Sequence, residues 1–175
     1  MTAMPMPPPS ADRSPAEPLP ADTLPADTLP ADTLDDLERA LAFLGRIQEA
    51  SQRKRGYPLE RALYLLLGRI VESEGLTISH LAQALLLDES TVTRQVATLG
   101  QAGLVEKRPN PADRRSLLVG ATATGRDQHA AMRALRLERI GLLFAPWSES
   151  DREAFRHLLG RYIDDATARI NDPTV

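Results

Sequence analysis

The stretch ESTVTRQVATLGQAGLVEKRPNPADRRS, residues 89–116, decides the fold because it joins an amphipathic helix to a basic hairpin. Successive helical residues turn by about 100°, so Val92, Val96 and Leu99 predict one inward apolar stripe. The opposite side carries small or polar residues and one arginine, namely Ser90, Arg94, Ala97, Thr98 and Gln101, with Thr91 and Thr93 beside them. Lys and Glu would be usual on a face that meets only water, so this pattern indicates close approach to another surface.

The outer face of this predicted helix suits the major groove of DNA. The groove is about 12 Å wide, and small side chains let a helix enter it closely. Hydroxyl groups can bond to phosphates or base edges there, and an arginine can bond to guanine through two hydrogen bonds. Gln95 lies nearer the core edge of the same helix. We therefore interpret residues 89–102 as a recognition helix.

A β-hairpin is predicted directly after the helix. Gly103 supplies the left-handed residue that commonly ends a helix. Residues 104–108, LVEKR, alternate between apolar and polar as a strand does. The sequence PNPAD, residues 109–113, cannot continue the strand and must turn. Residues 115–121, RSLLVGA, return as the second strand.

The tip of this hairpin is basic. It displays Arg114 and Arg115, and Asp113 is close enough in sequence to orient one of them. An arginine on a rigid hairpin suits a DNA minor groove, where negative potential is concentrated. Two arginines on a turn are also common as solvated charges. The preceding helix favours the DNA interpretation.

Two more helices are predicted upstream. Residues 59–73, LERALYLLLGRIVES, are apolar on most sides, which is typical of a buried central helix. Thr77 can cap a short helix that runs through Ala84. Residues 85–88, LLLD, then form a tight link to the recognition helix. Together they predict a helix–turn–helix.

Apolar stripes at helical spacing lie on both sides of this unit. The first stripe consists of Leu34, Leu37, Leu41 and Leu44, and it predicts a helix over residues 34–55. GYP, residues 56–58, is expected to end this helix. SESD, residues 148–151, resembles a capping box and precedes the last helix. That helix carries Phe155, Leu158, Leu159, Tyr162, Ile163, Ala166 and Ile170. The helix before it carries Met132, Leu135, Ile140 and Leu143 and is expected to end near Pro146.

Composition excludes several classes of protein. The 175 residues include no cysteine, which removes disulfides, thiolate zinc sites and thiol-based redox sensing. Neither an 18-residue apolar run nor a signal-peptide pattern is present, so we expect a soluble, cytoplasmic protein. The histidines, His80, His129 and His157, are scattered, and no Gly-rich phosphate loop, GxSxG or HExxH motif occurs. We therefore expect no enzymatic activity, no metal site and no cofactor.

The charge is unevenly distributed along the chain. The net charge is −3, yet residues 1–36 hold seven acidic side chains and one basic, so the remainder is mildly basic. Residues 1–33 contain nine of the 14 prolines and three LPADT repeats. We expect this acidic, Pro-rich tail to be disordered. The repeats are explained either by unconstrained duplication or by a regulatory arm that competes for the basic surface.

Residues 76–125 resemble the winged helix–turn–helix of the MarR family of transcriptional regulators. The matching elements are STVTR in the recognition helix, AGLVEKRP after it and DRR at the hairpin tip, or wing. WSESDREAF near the end is similar to the family's last helix. The resemblance implies a mainly α fold with a small β-hairpin wing, over residues 34–175. The winged unit would span residues 59–121, flanked by dimerisation helices over 34–55 and 122–172.

The resemblance also implies a homodimer that binds a pseudo-palindromic double-stranded DNA site. Its DNA-binding residues would be Ser90, Thr91, Thr93, Arg94, Gln95, Thr98, Arg114 and Arg115. Asp113 would buttress Arg115, which would enter the minor groove, while Arg114 would meet phosphate. The dimer would bury Leu37, Leu41, Leu44, Phe155, Leu159 and Tyr162.

Regulation by a ligand is a further implication. A small molecule between the dimerisation helices and the winged unit would change the spacing of the two recognition helices. Tyr57, Arg61 and Tyr64 are the candidates for lining that site. Repression is the expected outcome. A winged helix that binds another protein is the alternative, because the body of the chain is only slightly basic.

Overall fold

The computed structural model describes residues 30–113 and 115–172, with the side chain of Arg55 left out. Residues 1–29, which make up most of the tail predicted to be disordered over residues 1–33, and Arg114 lie outside the described part. The elements follow the order α1 (Ala31–Arg55), α2 (Arg61–Val71), α3 (Ile78–Leu85), α4 (Glu89–Gln101), β1 (Val105–Pro109), β2 (Leu117–Ala121), α5 (Ala123–Phe144) and α6 (Glu149–Ile170). The predicted class, mainly α with one small hairpin, is confirmed.

Helix α1 begins at Ala31, three residues before the predicted start. Pro30 precedes the first turn and its carbonyl accepts the N–H of Thr33 at 2.9 Å. A proline is tolerated there because the first turn of a helix does not use that residue's N–H group. The helix ends where Gly56 adopts φ of 54°. The first turn of α1 therefore lies within residues 31–33, which were predicted to belong to the tail.

Helices α3 and α4 form the predicted helix–turn–helix, and each begins at a capping side chain. The Thr77 hydroxyl accepts the N–H of His80 at 3.2 Å, and the Asp88 carboxylate accepts the N–H of Thr91 at 2.7 Å. Leu86 links the helices with φ of 55°, a left-handed conformation that is unusual for leucine. The bounds of α4 agree with the prediction to within one residue.

The hydrophobic core lies inside this winged unit. Leu66, Leu67 and Ile70 of α2 are fully buried, while Leu65 remains about half exposed, so the central helix is buried on fewer sides than predicted. The other buried apolar residues come from every neighbouring element and comprise Leu59, Leu81, Ala82, Val92, Val96, Leu99, Leu104, Val105, Val119, Ala121 and Met132.

The two strands pair in antiparallel register from Val105 opposite Ala121 to Pro109 opposite Leu117. Leu76 extends the sheet through a two-way backbone bridge to Val119, with N–O distances of 3.2 and 2.8 Å. The guanidinium of Arg108 also donates to the Glu74 carbonyl. These bonds fasten the wing to the loop between α2 and α3.

The strands are displaced from the predicted ranges of 104–108 and 115–121. Pro109 closes β1 because a strand end tolerates a residue without an N–H group. The second strand starts two residues late because the turn is wider than predicted. The Asn110 N–H donates to the Ser116 carbonyl at 3.1 Å, and its amide side chain bonds the Ser116 hydroxyl at 2.9 Å. The Asn110 side chain thus sets the width of the hairpin tip.

The first half of α5 packs against the winged unit, although the predicted division at residues 121 and 122 groups all of α5 with the dimerisation helices. Met132 is buried in the core, and Gly125 packs directly on the backbone of Leu104. The Thr122 hydroxyl donates to the Gly103 carbonyl at 2.7 Å and accepts the Gly125 N–H at 3.0 Å. Helix α5 is therefore anchored at the point where α4 ends.

Helices α1 and α6 and the second half of α5 leave their apolar residues exposed. At the corner between α5 and α6, Phe144, Trp147 and Phe155 form a cluster with ring centroids 4.8–5.5 Å apart. Ser148 caps α6 by accepting the Asp151 N–H at 3.1 Å. Helix α5 ends at Phe144, two residues before Pro146, as predicted.

Candidate nucleic-acid interface

The outer face of α4 has the composition that the sequence predicted. Val92, Val96 and Leu99 are fully buried beneath it. Ser90, Thr93, Arg94, Ala97, Thr98 and Gln101 are exposed, and Thr91 is half-buried. The only charged side chain in this outward set is Arg94, so the face is small, polar and singly basic.

Hydroxyl protons on this face are used inside the protein. Ser90 and Thr91 donate to the Asp88 carboxylate at 2.5 and 2.8 Å. Thr93 donates to the Glu89 carbonyl at 2.7 Å, and Thr98 donates to the Arg94 carbonyl at 3.1 Å. A hydroxyl has one proton, so these four groups offer only lone pairs outward. In this arrangement the guanidinium of Arg94 is the strong donor on the face.

Asp88 was not among the predicted site residues, although its place immediately before α4 is the sequence signature of an N-cap. Its carboxylate accepts three hydrogen bonds, two from hydroxyls and one from the Thr91 N–H. These bonds, first of all the one from Ser90, hold the pKa of Asp88 well below its usual range. The start of α4 therefore carries a fixed negative charge.

Gln95 is placed differently from the rest of the predicted set. It is half-buried, and its Oε1 is buried with no hydrogen-bond partner among the described residues. It lines an open groove of about 350 Å³ between the start of α2 and α4, together with Leu59, Leu63, Arg94 and Thr98. Gln95 thus faces α2 more than the outer surface.

The wing presents Arg115 at its exposed tip. The Asp113 carboxylate accepts the backbone N–H of Arg115 at 3.0 Å, so it fixes the backbone rather than the guanidinium. Asn110 braces the other side of the turn by accepting the Ala112 N–H at 3.0 Å. Asp113 supports Arg115 by shaping the loop, and the position of Arg114 lies outside the described residues.

The candidate ligand residues separate into two places. Arg61 lines a groove against α1, with Gln48, Glu49, Gln52 and Arg53. Tyr57 and Tyr64 instead meet arginines of α5 that the sequence did not single out. The Arg139 guanidinium lies 4.5 Å from the centre of the Tyr57 ring, and that of Arg136 lies 4.7 Å from the Tyr64 ring. Arg61 is therefore not part of the tyrosine cluster.

His129 extends this cluster on the side of the winged unit. Its ring stacks on Tyr64 with centroids 5.0 Å apart and an interplanar angle of 19°. Residues 129 and 136 are two helical turns apart on α5, so the Tyr64 ring fits between them. Nε2 of His129 lies against Gly68, where an added Cβ would be 3.0 Å away. The absence of a side chain at Gly68 makes room for the imidazole.

Burial lowers the pKa of His129 below its usual value of 6.5; nearby Arg133 adds to this and Glu72 opposes it. The folded protein therefore binds a proton there less readily than the unfolded chain. We expect the free energy of unfolding to fall as the pH drops from above 6.5 towards the lower folded pKa. Urea denaturation at pH 7.5 and about pH 5.5 measures this change in the free energy of unfolding. The change should be smaller in His129→Asn than in the unchanged protein. His80→Asn, which alters an exposed imidazole, is the control, and an equal reduction there would contradict the assignment.

Within residues 30–113 and 115–172, no three or more His, Cys, Asp or Glu side chains gather as a metal ion would need. No helix in the same described ranges combines the length and the apolar character required to cross a membrane.

Comparison with known proteins agrees with this geometry. A family model described as the MarR family matches residues 59–117, which span the winged unit through the start of β2. An uncharacterized HTH-type transcriptional regulator, YxaD of Bacillus subtilis strain 168, is 36% identical over 108 residues, which cover 62% of this chain and 76% of that protein.

Solved structures share the fold over most of this chain. A MarR family protein from Bacillus stearothermophilus superposes with a TM-score of 0.69 at 18% identity, over 79% of this chain and 99% of the other. The PcaV transcriptional regulator from Streptomyces coelicolor, solved in complex with its natural ligand, matches with a TM-score of 0.60 at 25% identity, over 71% and 91%. The family model matches the unit that carries α4 and the wing, and the identity to a regulator of this type agrees with it, so the chain belongs to the MarR family of transcriptional regulators.

Proposed function

We propose that this protein regulates transcription by binding a pseudo-palindromic site in double-stranded DNA. The outer face of α4 supports this most directly, because small side chains surround one exposed arginine above a fully buried inner face. A helix of this kind can enter a major groove, where Arg94 would bond to base edges. The exposed Arg115 would enter the adjacent minor groove.

The proposed contact residues follow from these positions. They are Ser90, Thr93, Arg94, Thr98 and Arg115, with Asp113 shaping the wing, and Arg114 is kept from the sequence analysis. Thr91 is half-buried beside Arg94 and is left out of the direct contacts. Gln95 is left out because its amide oxygen is buried beside α2. We propose that the protein acts by binding and not by catalysis, in the cytoplasm, where it would repress the genes beside its site.

Selection from a random pool of duplexes tests this function. We expect a sequence with two related half-sites, whose centres lie one helical turn or about 34 Å apart. Affinity for the selected duplex should fall steeply between about 50 and 200 mM salt, because bound cations are released from the phosphates. If no sequence is enriched and salt has no effect, the protein-binding alternative takes its place.

We also propose that the protein is a homodimer, built from α1, the second half of α5 and α6. Their exposed apolar side chains support this, since such faces rarely remain in water. The set comprises Leu34, Leu37, Leu41, Phe43, Leu44, Ile47, Leu135, Leu137, Ile140, Leu142, Leu143, Phe155, Leu158, Leu159, Tyr162, Ile163 and Ile170, with Trp147 at the corner between α5 and α6. A second copy would bury them through a two-fold interface.

Light scattering is expected to give about 38 kDa, twice the 19.2 kDa of one chain. Leu41→Asp should lower this mass towards one chain, because it would place a charge in an apolar interface. Leu117→Asp is the matched control, since Leu117 lies on the wing and is 51% exposed against 41% for Leu41. A dimeric mass for Leu41→Asp would contradict the proposed interface.

A small anionic molecule is the proposed effector, held by Tyr57, Arg136 and Arg139 between the winged unit and the dimerisation helices. Nη1 of Arg139 is buried and has no hydrogen-bond partner among the described residues. A carboxylate that reached this donor would supply the missing acceptor. The neighbouring tyrosine rings suit an aromatic or other flat group. Tyr64 would form the wall on the side of His129.

Binding at this junction would change the spacing of the two recognition helices and so the affinity for DNA. Calorimetric titration with benzoate and substituted benzoates tests the site. Arg139→Met should weaken binding by about tenfold through loss of the charge-assisted bonds. Equal affinities for the variant and the unchanged protein would exclude Arg139 from the site, and Arg61→Met is the control.

A further inference from the structure

A chain of hydrogen bonds connects Asp88 to Arg94 through Thr91. The Thr91 hydroxyl donates to Oδ2 of Asp88 at 2.8 Å and accepts from Nη2 of Arg94 at 3.1 Å. Oδ1 of Asp88 accepts the Thr91 N–H at 2.7 Å at the same time, which fixes the start of the helix. Because the single hydroxyl proton points to Asp88, a lone pair of Thr91 faces the guanidinium.

We propose that Asp88 and Thr91 are positioning residues that hold Arg94 in one orientation and so determine which base it selects. This inference rests on the proposed function, in which α4 enters the major groove. Thr91 then acts through Arg94 and not by its own contact with DNA.

The charge of Asp88 supports this role. An uncharged Ser or Asn would cap α4 equally well, whereas a carboxylate beside a DNA-facing helix repels phosphates. The charge also interacts favourably with the N-terminal end of the helix dipole, and in addition it acts on Thr91. A charged acceptor polarises the Thr91 O–H group and makes its oxygen a stronger acceptor for Arg94. The carboxylate thereby restrains an arginine that it does not touch.

Restraint of Arg94 affects the preference for one base more than it affects the overall affinity for DNA. An unrestrained arginine can turn to the nearest phosphate, which gives affinity without sequence preference. An arginine held in place loses less side-chain entropy when it forms two hydrogen bonds to guanine. Loss of the Thr91 hydroxyl should therefore reduce the preference for one base while total binding to DNA changes little.

The test compares base preferences in the full-length protein by selection from a random duplex pool. Thr91→Val removes the hydroxyl and keeps the β-branched shape and the backbone bond to Asp88. We expect its base preference to fall by about fivefold at the position where Arg94→Ala also loses preference. Asp88→Asn, which can still cap the helix, should also lower the base preference at that position. Thr91→Ser, which keeps a hydroxyl, should retain the original preference.

Affinities for the selected duplex and for single-base variants of it decide between the outcomes. In the Arg94→Ala background, Thr91→Val should have no further effect. An equal loss in both backgrounds would show that Thr91 contacts DNA itself, and a uniform loss at every position would show only a structural role. Either result overturns the inference and leaves DNA binding by α4 intact. If Arg94→Ala changes the base preference at no position of the DNA site, both the inference and the proposed base reading by Arg94 are wrong.

Discussion

Gly125→Ala is expected to unfold the protein or to destabilise it by about 4 kcal/mol or more. A Cβ at this position would lie 2.0 Å from the Leu104 carbonyl oxygen and 2.9 Å from its carbon. These are backbone atoms, and the Thr122 N–H already donates to that oxygen at 3.1 Å. The start of α5 cannot move away without breaking the bonds that join it to the end of α4. Thermal unfolding followed by circular dichroism measures the effect.

Gly100→Ala is the matched control for this substitution. Gly100 lies inside α4, and an added Cβ would meet no other heavy atom within 4 Å. Alanine there should raise the free energy of unfolding by roughly 0.5–1 kcal/mol, because it favours the helix. If Gly125→Ala unfolds at the temperature of the unchanged protein, α5 does not pack on Leu104 as described.

Arg115→Ala is expected to weaken binding to the selected DNA by at least about tenfold while the proposed dimer stays intact. The side chain is exposed at the tip of the wing and leaves the core unchanged when it is removed. Loss of one arginine from a minor groove removes both a charge and its hydrogen bonds to base edges. Fluorescence anisotropy with a labelled duplex measures the affinity, and light scattering checks the dimer.

Arg39→Ala separates this local effect from a change in net charge. Its guanidinium bonds Asp35 and Asp36 on the exposed side of α1, far along the chain from the wing. The control removes the same charge and should leave the affinity within about twofold. Unchanged binding by Arg115→Ala would remove the wing from the proposed DNA contacts.

The recognition helix was predictable because its signals are local. Apolar residues at helical spacing, a capping residue before them and Gly103 after them each act within a few positions of the chain. Local signals also explain why the predicted end of α5 near Pro146 agrees with its observed end at Phe144. The wing was predicted less well, since Asn110 closes its turn through Ser116, and no propensity of the intervening residues shows this bond.

The contacts of the candidate ligand residues Tyr57 and Tyr64 could be seen only in the folded structure. Tyr57 and Tyr64 are close to Arg61 in sequence, which favoured grouping all three, but Arg61 lines a groove against α1 while the two tyrosines contact arginines of α5. Arg136 and Arg139 lie more than 70 residues away and reach the tyrosines only because α5 crosses α2. Sequence spacing contains no signal for such a contact.

By itself the sequence determined the order and type of the helices, the hairpin after α4, and the small outer face with its single arginine. Periodicity, caps and breakers are interactions between near neighbours, and the residues alone determine them. Only the tertiary structure decided which hydroxyl protons are already used, which element lies against Gln95, and that Asp88 is linked to Arg94. These features depend on side-chain directions and on contacts between elements, because hydrogen bonds form only where packing brings donor and acceptor together.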